Sequence, residues 1–206
     1  MISRRRVLGA LAAGLVPRPP FALARPGIEV GLERVAADQG GALRGRRVGL
    51  LAHAASVTSE GRHAVDVLRG AGVDVRRLFG PEHGPRGRAE AGEEVASGVD
   101  APTGLPFVSL YGEKNTPAPA DLEGLDVLVA DLQDAGVRFY TYVSTLLLCL
   151  EAAAEAGIEV CVLVRPNPLG GDLVEGPERE PGVPSCVVSS APGRVVLGLT
   201  VGEMSL

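Results

Sequence analysis

The chain has 206 residues, 46% of them apolar and 22% charged, enough for one ordinary domain with its own core and too apolar for a disordered chain. Aromatics make up 3%, so the core must come from Val, Leu and Ala, and a net charge of −5 argues against nucleic acid or an anionic membrane as partner. No apolar run approaches the roughly 18 residues of a membrane-spanning helix.

The first 24 residues read as an address. Ser3-Arg4-Arg5-Arg6-Val7-Leu8 is a basic segment of twin-arginine type, Val7 to Val16 is a short apolar stretch, and Ala22-Leu23-Ala24 is an A-x-A cleavage site. A mature chain is expected to start near Arg25 and to be periplasmic or extracellular. Losing four arginines leaves it 16 basic against 25 acidic residues, a net −9. Cys149, Cys161 and Cys186 show no C-x-x-C spacing, which predicts neither a thiolate zinc site nor a disulfide framework.

From residue 25 on, the chain alternates strands and helices. After a linker, Gly31 to Asp38 predicts a short helix. Arg46 to Ala52 is a buried strand that runs into a loop, His53 to Thr58. His63 to Ala71 is an amphipathic helix closed by Gly70 and Gly72, with His63 expected on its exposed face. Val73 to Leu78 is a second strand. Arg88 to Thr103 lacks a period and predicts a long loop. Leu105 to Leu110 is a strand placed at a sheet edge by Pro106. Val127 to Ala130 is wholly apolar, as central parallel strands are. Phe139 to Ala156 is the strongest helix, stopped by Gly157, and Glu159 to Val164 predicts another central strand. Thr200-Val201-Gly202-Glu203 is a capping box that opens a helix three residues before Leu206, so the chain is expected to be a truncated piece.

This alternation predicts an α/β fold: a Rossmann-like, doubly wound, mostly parallel sheet with helices on both faces over residues 25–206. No cofactor is expected. G-x-G-x-x-G does not follow the first strand, and G-x-x-x-x-G-K-[ST] is absent.

Polar residues gather at the predicted strand ends. His53 and Ser56 follow the first strand. Phe79-Gly80-Pro81-Glu82-His83-Gly84-Pro85-Arg86-Gly87 follows the second and packs an acid, an imidazole and a guanidinium into a loop that two prolines and three glycines hold out of regular structure. Asp131, Gln133, Asp134 and Arg138 follow the central apolar strand, and Arg165 and Asn167 the last, with Glu175 beyond. In a parallel sheet these ends share one edge, where ligands bind. Tyr140 and Tyr142 stand beside them, and amphipathic rings next to carboxylates suit a sugar. Asp131 is read either as a cap or as a binding group, and Arg138 either as a structural partner of Asp134 or as a ligand group. Glu82 is the residue least suited to a purely structural role.

P-E-H-G-x-R-G at Pro81 to Gly87, D-x-Q-D-x-G-x-R-F-Y-T-Y at Asp131 to Tyr142, R-P-N-P-L-G-G at Arg165 to Gly171 and V-E-G-P at Val174 to Pro177 stand in one order. Together they resemble the exo-β-N-acetylmuramidases of NamZ type. The resemblance implies a Rossmann-like N-terminal domain, a smaller C-terminal domain absent here, and a site in the cleft between them. It implies release of N-acetylmuramic acid from the non-reducing end of peptidoglycan fragments. On that reading Glu82 is the general acid and His83 orients it. Glu175, Asp131, Asp134 or the substrate's acetamido group fills the second role, and Arg86, Arg138 and Arg165 hold the lactyl carboxylate. Two alternatives stay open: a metal-dependent hydrolase using His53, Glu82, His83 and Asp131, and a non-catalytic cell-wall saccharide-binding remnant.

Overall fold

The computed structural model describes residues 28–206, apart from 88, 91, 185 and 192. The proposed signal segment, residues 1–24, lies outside the described residues.

Among the described residues eight strands and five α-helices follow one another: α1 (Gly31–Ala37), β1 (Arg47–Ala52), α2 (Ala64–Gly70), β2 (Asp74–Gly80), β3 (Gly98–Asp100), β4 (Leu105–Ser109), α3 (Pro119–Leu122), β5 (Val127–Asp131), α4 (Thr141–Ala156), β6 (Glu159–Val162), β7 (Val174–Glu178), β8 (Arg194–Leu197) and α5 (Val201–Met204). A six-stranded sheet runs in the order β3-β4-β2-β1-β5-β6, with every pairing parallel except β3 with β4. Its five parallel strands have the Rossmann order, in which the winding reverses between β1 and β5. The predicted α/β class is borne out.

Strand alternation splits the core in two. Val48, Leu50 and Ala52 of β1 and Val127 and Val129 of β5 pack with Leu32 of α1 and Val65 and Leu68 of α2. Leu51, Leu128 and Ala130 face the other way, onto Leu122 of α3 and Tyr142, Leu146 and Cys149 of α4. Helices therefore cover both faces. Because β1 and β5 are buried on both sides, their sequences are continuously apolar, as in other central parallel strands.

Three expectations are corrected. Pro106 does not mark an edge: β3 lies outside β4 and pairs Val99 with Pro106. The proline costs no bond to β2, because that pairing begins only at Phe107. The stretch read as one long loop thus contains the antiparallel edge strand, too short to show a period. Glu159 to Val164 is not central, since β6 closes the sheet at its other edge. The V-E-G-P segment forms the hairpin β7–β8, held to the loop after β5 by the Arg138 N–H, which donates to the Val195 carbonyl at 2.8 Å. No helix among the described residues is long and apolar enough to cross a membrane.

Candidate active site

The crevice at the winding reversal lies between the C-terminal ends of β1 and β5, where Ala52 pairs with Asp131. Asp131 is fully buried. The Arg165 guanidinium, brought back by the turn after β6, donates to its two oxygens at 2.6 and 2.8 Å and to the Val57 carbonyl at 3.0 Å. Burial raises the Asp131 carboxyl above its ordinary range, and the guanidinium pulls the other way. The Ser56 hydroxyl donates to the Asp131 carbonyl, and the His53 N–H donates to Ser56 Oγ at 2.9 Å. One closed network thus ties together the ends of β1, β5 and β6.

His53 sits inside this network as a neutral ring. The Gln133 N–H donates to its Nε2 at 2.9 Å, which leaves the ring proton on Nδ1. Burial and then the Arg165 charge lower its pKa to about 3. Its ring meets Tyr142 edge-on at 4.6 Å. His63 is not simply exposed, as expected, but half-buried. Its Nδ1 accepts from the Val65 N–H at 3.4 Å, so its Nε2–H lies between the carbonyls of His53 (3.1 Å) and Pro85 (2.9 Å). That single N–H ties the β1 loop to the loop carrying Glu82.

Glu82 lies half-buried just past β2. Its Oε2 accepts from the Thr141 hydroxyl at 3.0 Å and its Oε1 from the Gly92 N–H at 3.2 Å. The Tyr142 hydroxyl donates to the Glu82 carbonyl at 3.3 Å. Tyr142 in turn packs against Tyr140, ring centres 4.5 Å apart. Burial and then the charges of Asp134 and Glu82 raise the Tyr140 phenol. Asp134 is itself buried. Its Oδ2 accepts from the Gly136 N–H at 2.8 Å, and its Oδ1 has no hydrogen-bond partner among the described residues. Burial raises its carboxyl. Glu82, Asp134, Tyr140 and Tyr142 thus form one cluster where the first turn of α4 meets the β2 loop.

The remaining predicted residues, apart from Glu175, have hydrogen-bond partners within the protein. His83 does not orient Glu82. With φ at +68° it takes the left-handed conformation, and its Nδ1 bonds the Ala89 carbonyl at 3.0 Å, on the side of a separate cleft of about 430 Å³. Arg86 forks onto Asp100 of β3 at 2.8 and 2.9 Å, fastening the Glu82 loop to the edge strand. Arg138 donates to the Gly193 carbonyl at 2.7 Å, not to Asp134. Asn167 donates to the carbonyls of Leu197 and Leu199, and Gln133 to those of Asp134 and Pro166. Glu175 is exposed on β7. Arg86, Arg138 and Arg165 all have protein partners. The four residues of the metal alternative are likewise engaged elsewhere: Asp131 by Arg165, His53 by Gln133, His83 by Ala89, and Glu82 by Thr141 and Gly92.

Two residues not singled out in the sequence belong to the site. Thr141 stands inside the motif from Asp131 to Tyr142, and its place in the first turn of α4 brings it to Glu82. Tyr111 is one of only three tyrosines and follows directly on β4. Aromatic scarcity was the available signal.

Rossmann order defines a doubly wound α/β domain, with a carboxyl and tyrosine cluster at the C-terminal edge where such folds bind ligands. More particularly, the chain belongs to the family described as "Exo-beta-N-acetylmuramidase NamZ, N-terminal", whose model matches residues 48–206. It is 42% identical over 182 residues to the peptidoglycan beta-N-acetylmuramidase NamZ of Bacillus subtilis, covering 88% of this chain and 44% of that protein. Two crystal structures of DUF1343 family proteins from Bacteroides fragilis share the fold. One has a TM-score of 0.78 at 41% identity, covering 86% of this chain and 44% of its own. The other has a TM-score of 0.71 at 31% identity, covering 85% and 44%. The chain therefore spans less than half the length of each.

Proposed function

We propose that this chain carries the acid-bearing part of an exo-β-N-acetylmuramidase, a glycosidase that releases N-acetylmuramic acid from the non-reducing end of peptidoglycan fragments. Family membership supports the substrate class. The observation that carries the chemistry is the Glu82 carboxyl, held by Thr141 and the Gly92 N–H beside three tyrosines at the C-terminal edge of the sheet. Glycoside cleavage needs a proton for the leaving oxygen and support for an oxocarbenium-like centre. Glu82 supplies the proton. Asp131 is committed to Arg165 and Glu175 is exposed on the hairpin, whereas Asp134 keeps a buried oxygen without a partner among the described residues, and its charge acts on the Tyr140 hydroxyl together with that of Glu82. Asp134 takes the second role, steadying the developing positive charge directly or through the substrate's acetamido group. The R-R-R segment and A-x-A site support action outside the cytoplasm.

The test is a chromogenic β-glycoside of N-acetylmuramic acid, offered to the chain alone and to the chain joined to a family C-terminal domain. The expected result is chromophore release that falls at least ~100-fold in Glu82→Gln with the circular dichroism spectrum unchanged. Undiminished turnover by Glu82→Gln would remove Glu82 from the chemistry.

A further inference from the structure

A groove of about 210 Å³ lies between the end of β4 and the segment after Gly92, lined among others by Glu94, Ser109, Tyr111, Glu113 and Lys114. Strand register accounts for its place. Gly80 pairs with Ser109 at the end of the β2–β4 ladder, and the Leu110 N–H extends it by donating to the Gly80 carbonyl at 2.9 Å. Tyr111 follows one residue on, near enough to Glu82 for that carboxyl to act on its phenol. The opposite wall is the segment after Gly92, whose N–H holds Glu82. Glu94 lies close over Gly112: a Cβ there would come within 2.9 Å of the Glu94 Cγ, and φ at +102° also favours glycine. Burial and then the charges of Glu82 and Glu94 raise the Tyr111 phenol, as expected of a hydroxyl standing between two carboxylates.

The charge in the groove selects its ligand. Glu94 and Glu113 line it, and the one ammonium, Lys114, is paired with Asp121 at 2.5 Å. An anionic sugar would meet like charge, whereas a neutral sugar offers hydroxyls to the carboxylates and an apolar face to the phenol ring. The volume is below the roughly 300–1,000 Å³ of drug-sized pockets and fits a single ring. We propose that this groove binds the neutral leaving sugar, the N-acetylhexosamine on the far side of the scissile bond, with Tyr111 as its platform and Glu94 accepting its hydroxyls. The inference rests on the muramidase reading for the identity of the sugar. It also places the leaving group on the Glu82 side of the cleft, where the proton has to be delivered.

The experiment uses Tyr111→Ala and Glu94→Gln, the second on an exposed side chain whose loss leaves the fold intact. The substrate is the disaccharide of N-acetylmuramic acid β-linked to N-acetylglucosamine, with free N-acetylglucosamine as product inhibitor. Each variant is expected to raise KM at least fivefold and to weaken product inhibition to the same degree. Unchanged KM and unchanged inhibition in both would overturn the proposal. Should neither the chain nor the chain joined to a family C-terminal domain turn the disaccharide over, a nuclear magnetic resonance titration with N-acetylglucosamine decides the matter. Saturable shifts of the Tyr111 and Gly112 amides, lost in Glu94→Gln, would keep the groove as a sugar site while the muramidase reading falls. No shifts would remove the groove as well.

Discussion

Removing the Arg165 guanidinium should unfold the cleft from its centre. Among the described residues Arg165 is the only one in an ion pair with Asp131, whose side chain is 0% exposed, and Arg165 is itself only 7% exposed. In Arg165→Ala, Asp131 must either stay charged without a partner or take up a proton. Breaking a buried pair from one side costs about 3–5 kcal/mol. In a domain of this size that lowers Tm by about 6–20 °C. The cost should depend on pH, and the sign is fixed. Burial already raises the Asp131 carboxyl, and losing the opposing guanidinium raises it further. A carboxyl raised in the folded state favours folding below its unfolded pKa of about 3.9, and that stability is lost as pH rises through the folded value. Arg165→Ala should therefore lie closer to the parent at pH 5 than at pH 8, and Asp131→Asn added to it should remove the difference. Urea unfolding followed by circular dichroism at both pH values measures this. A loss below about 1 kcal/mol, or an equal loss at pH 5 and pH 8, would refute the assignment of the pair as the centre of the network.

Two further outcomes follow from the same geometry. The His53 ring, lowered to about 3, should stay neutral from pH 8 to pH 4 in a nuclear magnetic resonance titration. Because the unfolded ring binds its proton near pH 6.5, stability should fall as the solution is acidified below that point, and His53→Gln should flatten the fall. At Gly136 an added Cβ would stand 2.7 Å from both Asn167 Oδ1 and Leu169 Cδ1, with φ at +75°. Gly136→Ala should cost about 1–3 kcal/mol in urea unfolding and free the turn after β6 from the loop after β5; an unchanged midpoint would contradict this.

The sheet was legible because β1 and β5 are buried on both faces, and their unbroken apolar runs leave few other readings. The tight clustering of Glu82, His83 and Arg86 in sequence was legible as a motif, but not where it sends each side chain. The left-handed turn at His83 sends neighbouring side chains to different places, and no periodicity in the sequence encodes that. The three arginines show a second reason. Guanidinium groups suit carboxylates and carbonyls of any origin, so residue type alone does not separate a ligand partner from Asp100, Asp131 or the Gly193 carbonyl. Thr141 and Tyr111 remained hidden because their roles arise from helix placement and strand register, which are set across the chain and not locally. The edge strand β3 and the hairpin β7–β8 were missed for their brevity, at three, five and four residues.

The left-handed residue at position 83 has a wider consequence. A chain that reverses there makes its loop a dividing wall, with Glu82 on one side and the His83 ring on the other. The cleft on the His83 side and the groove beside Tyr111 share Glu94, Val95 and Ala96, so an occupant of one meets the other through those side chains as well as through a backbone that Arg86 fastens to β3 and His63 fastens to the β1 loop. The two compartments thus share a wall, and a change on one side is felt on the other.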